Sequence, residues 1–256
     1  MQGCGDGAGG MSMNDPGFER RWRQRFLERG AQLEDDAGIA GWTHTGLASR
    51  VRQFERLWQR ADPRPGRWLD VGCGAGTYTR MLQAQGHQVV GLDYSTPSLQ
   101  KARARSDPTI PWLAADSNHL PLADAAFDGV LCFGVMQALA DPAPALAEIR
   151  RILRPGAEAW VDALNRRCLP TAVREWRRSR RGQPPHLRYD VAGDLQVVAN
   201  DAGLRVEALH WLPLAPGRLA GLQPLLEHRG TLGLLQAAPA LGAWLSHSFI
   251  LRLRRG

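Results

Sequence analysis

Apolar positions in the first sixty residues recur every three to four places. Phe18, Trp22 and Phe26 stand at four-residue spacing and predict a helix over 16–29. Val51, Phe54, Leu57 and Trp58 share one face of a second predicted helix over 47–60. Between them, 41–46 reads as a loop, and Asp62-Pro63 and Pro65-Gly66 end the segment. From Trp68 the period changes. Short apolar runs at 67–71, 87–92, 110–115, 127–133 and 158–164 predict strands. Helical patterns at 78–85, 97–106 and 142–153 separate them, with Ser95 or Thr96 as an N-cap and Pro155-Gly156 as a tight turn. Alternation of this kind predicts an α/β, Rossmann-like, doubly wound, mostly parallel sheet with helices on both faces. Further on, a helix over 190–202 is closed by Gly203, and a strand follows at 204–211. Two short helices are expected within 214–245 and a last strand at 246–254.

The segment between the first strand and its helix carries the chemistry. It reads Asp70-Val71-Gly72-Cys73-Gly74-Ala75-Gly76-Thr77. Glycines there permit positive φ and let a ligand approach the backbone, while the helix N-terminus favours an anionic group. A nicotinamide fingerprint would place its third glycine at position 77. Thr77 stands there and the third glycine comes one place early, at Gly76, which argues against an oxidoreductase. Two more carboxylates fall at strand ends. Asp93 follows the second strand and suits a ribose diol; Asp116, with Ser117 beside it, follows the third and suits an adenine amine. Asp70 is read as orienting the loop or holding an ammonium.

Together with Gly91-Leu92-Asp93-Tyr94-Ser95, Phe127-Asp128 and Arg151-Ile152-Leu153-Arg154-Pro155-Gly156, this set resembles the class I S-adenosylmethionine-dependent methyltransferases of small-molecule type. The resemblance is best from Trp68 to Leu164. It implies a seven-stranded sheet with an antiparallel last strand, S-adenosylmethionine as cofactor, and methyl transfer, by O- or C-methylation. The cofactor site comprises Asp70, Gly72, Cys73, Gly74, Gly76, Asp93, Tyr94, Asp116, Ser117 and Phe133. Ala157 stands where many relatives have a second glycine. Val135-Met136-Gln137-Ala138 stands where many have a histidine.

No apolar run reaches the roughly 20 residues of a membrane span, and no secretory signal opens the chain. A cytoplasmic location is expected, with peripheral contact to a membrane through the leucines of 214–245. Residues 1–15 are glycine-rich and expected to be disordered, with Met11 or Met13 as alternative starts. Residues 16–66 are expected to form a helical lid over the cofactor cleft, with Trp42 and His44 near the methyl group; the alternative places both helices on the far side of the sheet. Residues 67–256 form the methyltransferase domain, with 165–189 and 214–245 as acceptor-side insertions. The four cysteines, Cys4, Cys73, Cys132 and Cys168, show no metal-ligand spacing, so reduced thiols and no metal are expected.

The net charge is +7, and Lys101 is the only lysine. Arginine bias accounts for much of that charge. Arg174, Arg177, Arg178, Arg180 and Arg181 crowd one segment, which reads either as recognition of an anionic acceptor or as a solvated helix face. The basic and apolar segments together suit a small or lipid-linked acceptor, and Leu164-Asn165-Arg166 with His247-Ser248-Phe249 loosely resembles methyltransferases of glycan or natural-product pathways, which implies a glycan-linked one. RNA methylation and a non-catalytic S-adenosylmethionine-binding role remain the alternatives. For a general base, His44 is the candidate, ahead of His119, His186 and Tyr189.

Overall fold

The computed structural model describes residues 16–183, 187–215 and 217–256. The expected disorder of 1–15 and the candidate His186 lie outside them. Seven strands form one sheet: β1 (Arg67–Val71), β2 (Gln88–Asp93), β3 (Trp112–Ala114), β4 (Phe127–Cys132), β5 (Leu153–Leu164), β6 (Leu204–Pro213) and β7 (Ser246–Arg255). Their order is β3-β2-β1-β4-β5-β7-β6. The first five pair in parallel, while β7 runs antiparallel to both neighbours. Chain order reverses between β1 and β4, and in open sheets of this kind ligands bind outside the carboxyl ends of the strands at that point.

Alternate residues of β1 serve two different cores. Leu69 and Val71 pack with Leu146, Ile149 and Ile152 of α6 (Ala143–Ile152), and with Leu195 and Ala199 of α8 (Ala192–Asp201). Trp68 faces the other side, where Phe54 and Trp58 of α3 (His44–Ala61) meet Leu82 of α4 (Thr77–Ala84) and Trp160 of β5. Phe54 is wholly buried and its ring meets Trp58, Tyr78, Phe133 and Trp160. Burial of an aromatic side chain stabilises by about 1.5–3 kcal/mol, so α3 is part of the core.

The segment expected to be a uniform lid is thus divided. Helices α1 (Pro16–Gln32) and α2 (Asp36–Ala40) line the cleft at the carboxyl ends of the strands, while α3 reaches it with Leu47 and Arg50 and otherwise packs on the sheet. Phe18 and Trp22 bury the α1 face, and α1 contacts α5 (Thr96–Ala104) and the 3-10 turn at Met136–Ala138. Polar clips fix the pair. Lys101 donates to the Leu33 carbonyl at 2.7 Å, Thr77 donates to Asp36 at 2.7 Å, and the Ala140 N–H donates to Glu19 at 2.9 Å.

The expected loop at 41–46 also differs. Helix α2 ends at Gly41 in the left-handed region, and Thr43 caps α3, which begins at His44. Similarly, Pro155-Gly156 is a register shift within β5, which starts at Leu153 without a separating turn. The 165–189 insertion contains α7 (Leu169–Arg180). Residues 214–245 hold, among those described, a 3-10 stretch followed by α9 (Gln223–Leu226), α10 (Arg229–Ala237) and α11 (Pro239–Leu245). Leu235 there is buried, but Leu219, Leu222, Leu225, Leu234 and Leu245 are exposed. No helix among the described residues is long and apolar enough to cross a membrane.

Candidate active site

The chain leaves β1 at Val71 and turns sharply, with the Gly72 and Cys73 N–H groups both donating to the Leu92 carbonyl of β2. Gly72, Gly74 and Gly76 all have positive φ, a region that L side chains occupy at a cost. A Cβ at Gly72 would meet Val135 Cγ2 at 2.2 Å, whereas one at Gly74 would have only Ile39 Cγ2, at 4.0 Å. Gly74 therefore presents bare backbone to open space in the cleft that it lines.

Asp93 closes β2 directly opposite. One carboxylate oxygen accepts from the Gly74 N–H and the other from the Ser95 N–H, both at 2.8 Å. Burial pushes its pKa up, and the backbone N–H bonds oppose that shift. Each oxygen keeps a lone pair for a ligand hydroxyl. Asp116 also lies in the cleft, yet both of its oxygens are engaged, one by the Asn118 N–H and the other by an ion pair with Arg23 of α1. Cys73, Tyr94, Ser117 and Phe133 line the same cleft. Burial raises the Cys73 thiol well above its ordinary value and raises Tyr94 likewise, so neither is ionised at neutral pH.

Two residues of the expected set stand behind the cleft. Asp70 is almost fully buried, accepts from Thr79 of α4 at 2.6 Å, and is pushed by desolvation to about 7. Its side chain binds α4 and does not line the cleft. Gly76 N-caps α4 and does not line the cleft.

Sequence reasoning missed Arg50. It lies in the buried stripe of α3 with Phe54 and Trp58, four and eight residues before them, and a charge in that register was the available signal. Its guanidinium ion-pairs with buried Asp162 of β5, donates to Ser248 at 2.6 Å, and lies 4.3 Å from the Trp42 ring centre. The Asp162 carboxylate also accepts from the Gly134 N–H at 2.7 Å. Arg50 and Gly134 both line the cleft, so this pair ties β5 to the loop after β4.

A second cavity of about 730 Å³ adjoins the first, and the two share Trp22, Phe26, Ala40 and Trp42 in their linings. Its far walls come from α7, including Arg174, Glu175 and Arg178, and from β7, where His247 faces Trp42 edge-on at 5.7 Å. Desolvation, with help from Arg50 and Arg174, depresses His247 to about 4, so this imidazole is neutral at physiological pH. Tyr189 also lines this cavity and accepts from Arg174 at 2.7 Å.

His44 does not reach either cavity. Its side chain is 81% exposed at the start of α3 and sits 3.3 Å from Asp35. Starting α3 at residue 44, rather than 47, turns this side chain outward, and the expectation of His44 beside the methyl group fails on that geometry. His119 is exposed and lines neither cavity. His247 was not among the general-base candidates read from the sequence.

Residues 69–161 match the family model for a methyltransferase domain. The chain is 35% identical over 151 residues to malonyl-[acyl-carrier protein] O-methyltransferase of Erwinia pyrifoliae, covering 57% of this chain and 56% of that protein. It is 33% identical over 134 residues to demethylmenaquinone methyltransferase of Corynebacterium kroppenstedtii, covering 50% of this chain and 56% of that one. The chain therefore spans about half the length of these curated relatives. Among solved structures, magnesium protoporphyrin IX methyltransferase of Synechocystis, with bound S-adenosylhomocysteine, shares the fold at a TM-score of 0.63 and 12% identity, covering 93% of this chain and all of that one. Residues 69–161 thus match a methyltransferase domain, and the glycine turn, the strand-end carboxylates and the sheet order agree with the class I S-adenosylmethionine-dependent family that the sequence resembles.

Proposed function

We propose that the chain transfers a methyl group from S-adenosylmethionine in the glycine cleft to a small-molecule acceptor in the second cavity. The observation that carries this reading is the shared aromatic wall, Trp22, Phe26 and Trp42, where ligands of the two spaces would meet. Bare backbone at Gly74 and the free lone pairs of Asp93 fit a nucleoside, with Asp93 holding the ribose and Asp116 with Ser117 beside the adenine. Arg50 would hold the carboxylate of the methionyl end.

The cofactor supplies a methyl group already activated on a sulfonium. What remains for the protein is alignment and exclusion of water. Helices α1 and α2 act as the lid, and Arg23 on Asp116 fastens it across the cleft. Neutral His247 accepts a hydrogen bond from an acceptor hydroxyl, which suits O-methylation, and an activated carbon acceptor would need no base. A lipid-linked acceptor would extend toward the exposed leucines of 214–245.

Equilibrium dialysis with methyl-tritiated S-adenosylmethionine tests the first step, and transfer of label to hydroxyaryl acceptors tests the second. Saturable binding that S-adenosylhomocysteine displaces is expected. A full-length chain that binds NAD but not S-adenosylmethionine would sink the proposal.

A further inference from the structure

Three arginines and one acid line the part of the second cavity between α1 and α7. Arg29 comes from α1, and Arg174 and Arg178 from α7, with Glu175 as the acid. The two α7 arginines are four residues apart and share a helix face. Glu175 lies 3.7 Å from Arg174 and 3.9 Å from Arg178. Arg29 has no carboxylate partner among the described residues. Its guanidinium lies 5.9 Å from the Trp22 ring centre and 5.6 Å from that of Phe26, and burial disfavours its charge. Arg52 also lines this cavity but is held by Glu227 at 2.9 Å, which offsets its charge.

The arginine-rich run is thus not one uniform solvated face. Arg177, Arg180 and Arg181 are exposed, line neither cavity, and Arg180 lies against the exposed Trp176 ring. Arg174 and Arg178 line the cavity. Trp22, Phe26 and Trp42 form its aromatic wall, shared with the cofactor cleft, and Arg29 lies over the first two rings.

We infer that the second cavity selects acceptors of one chemical class: a planar or apolar body, methylated at the aromatic wall, with a carboxylate or phosphate held by Arg29, Arg174 and Arg178. The inference rests on the methyl-transfer reading for the word acceptor, and on the charge and shape of the cavity for the chemistry. A guanidinium matches either anion with paired N–H donors, while an uncharged body leaves the excess positive charge unanswered. Arg174 and Arg178 hold the anion on the α7 wall, so it sets orientation and takes no part in transfer.

Calorimetric titration of the full chain with 2-naphthoate, 2-naphthyl phosphate and the uncharged 2-naphthylmethanol tests this, with and without saturating S-adenosylhomocysteine. One or both anions should bind at least about tenfold more tightly than the alcohol, and the comparison between them tells carboxylate from phosphate. Arg174→Met with Arg178→Met should remove that preference while leaving affinity for the alcohol and for S-adenosylhomocysteine within about twofold. Equal affinity for all three probes overturns the inference. So does an anion preference that survives the double variant, or displacement of the anions by S-adenosylhomocysteine. Should the double variant not fold, salt decides on the unaltered chain: anion binding must weaken from low to high ionic strength while alcohol binding does not. Failure of S-adenosylhomocysteine to bind, with the anion preference intact, removes the methyl-transfer reading and leaves the anion site standing.

Discussion

Gly72 and Gly74 have the same sequence role but different surroundings, which gives a sharp test of the loop. Gly72→Ala imposes a left-handed conformation on an alanine, which costs about 1–2 kcal/mol. Its Cβ would also lie 2.2 Å from Val135 Cγ2, and forced overpacking of that kind adds about 1–3 kcal/mol. The expected destabilisation is thus about 2–5 kcal/mol. Gly74→Ala incurs the conformational cost alone, about 1–2 kcal/mol, since its nearest neighbour is 4.0 Å away. The order reverses for ligand binding. The new methyl group at position 74 projects into the cleft, whereas that at position 72 projects toward Val135. Urea unfolding of both variants reads the first quantity and calorimetry with S-adenosylhomocysteine the second. Val135→Ala removes the clashing methyl, so the Gly72→Ala and Val135→Ala double-mutant cycle should return about 1–3 kcal/mol. Equal destabilisation by the two alanines, or a cycle that returns nothing, would refute the assignment of the Gly72 cost to Val135.

Asp93→Ala should weaken cofactor binding by about 2–3 kcal/mol and also lower stability, because the Gly74 and Ser95 N–H groups lose their acceptor; calorimetry showing undiminished affinity removes Asp93 from the site. Asp70, pushed from 3.8 to about 7, stays protonated in the fold while the unfolded chain ionises. Its contribution is therefore full below about pH 4 and lost as pH rises to about 7, by about 4 kcal/mol in all. Asp70→Asn should accordingly gain on the unaltered chain across that window, and parallel stability–pH curves would contradict the shift. A chain starting at residue 43 should fold and bind cofactor poorly, having lost α1 and α2. One starting at residue 62 should not fold, because Phe54 and Trp58 each contribute about 3–5 kcal/mol against a total stability of about 5–15 kcal/mol; a cooperative unfolding transition in the shorter chain would sink that argument.

The last of these separates α3 from the lid expected for the whole of 16–66, and the reason is physical. The stripe Phe54 and Trp58 announces burial, but hydrophobic periodicity says nothing about which surface covers it. That surface is Trp68 and Trp160, ten and a hundred residues further on. By contrast, β1, β2 and β4 were legible nearly to the residue, because central parallel strands are continuous apolar runs bounded by turn chemistry. The carboxylates at 93 and 116 were legible because strand ends are fixed by those runs. Helix α2 was not legible: five residues carry too little period to register. His44 was misplaced by three residues of helix start, since 44 is within the first turn that Thr43 caps.

Arg50 and Asp162 show why part of the cleft resisted reading. Each looks unremarkable in its own segment, one charge in an amphipathic helix and one acid late in a buried strand. Folding sets them together, nearly fully buried, and a buried charge persists only when paired and hydrogen-bonded. The Gly134 N–H and Ser248 hydroxyl complete that pairing. The same guanidinium lies against Trp42, which lines both cavities. Removing Arg50 would leave Asp162 uncompensated and release the tryptophan at the junction. The ion pair therefore does two things that a packed leucine could not: it presents positive charge to the cleft, and it sets Trp42 in the aromatic wall that the two cavities share.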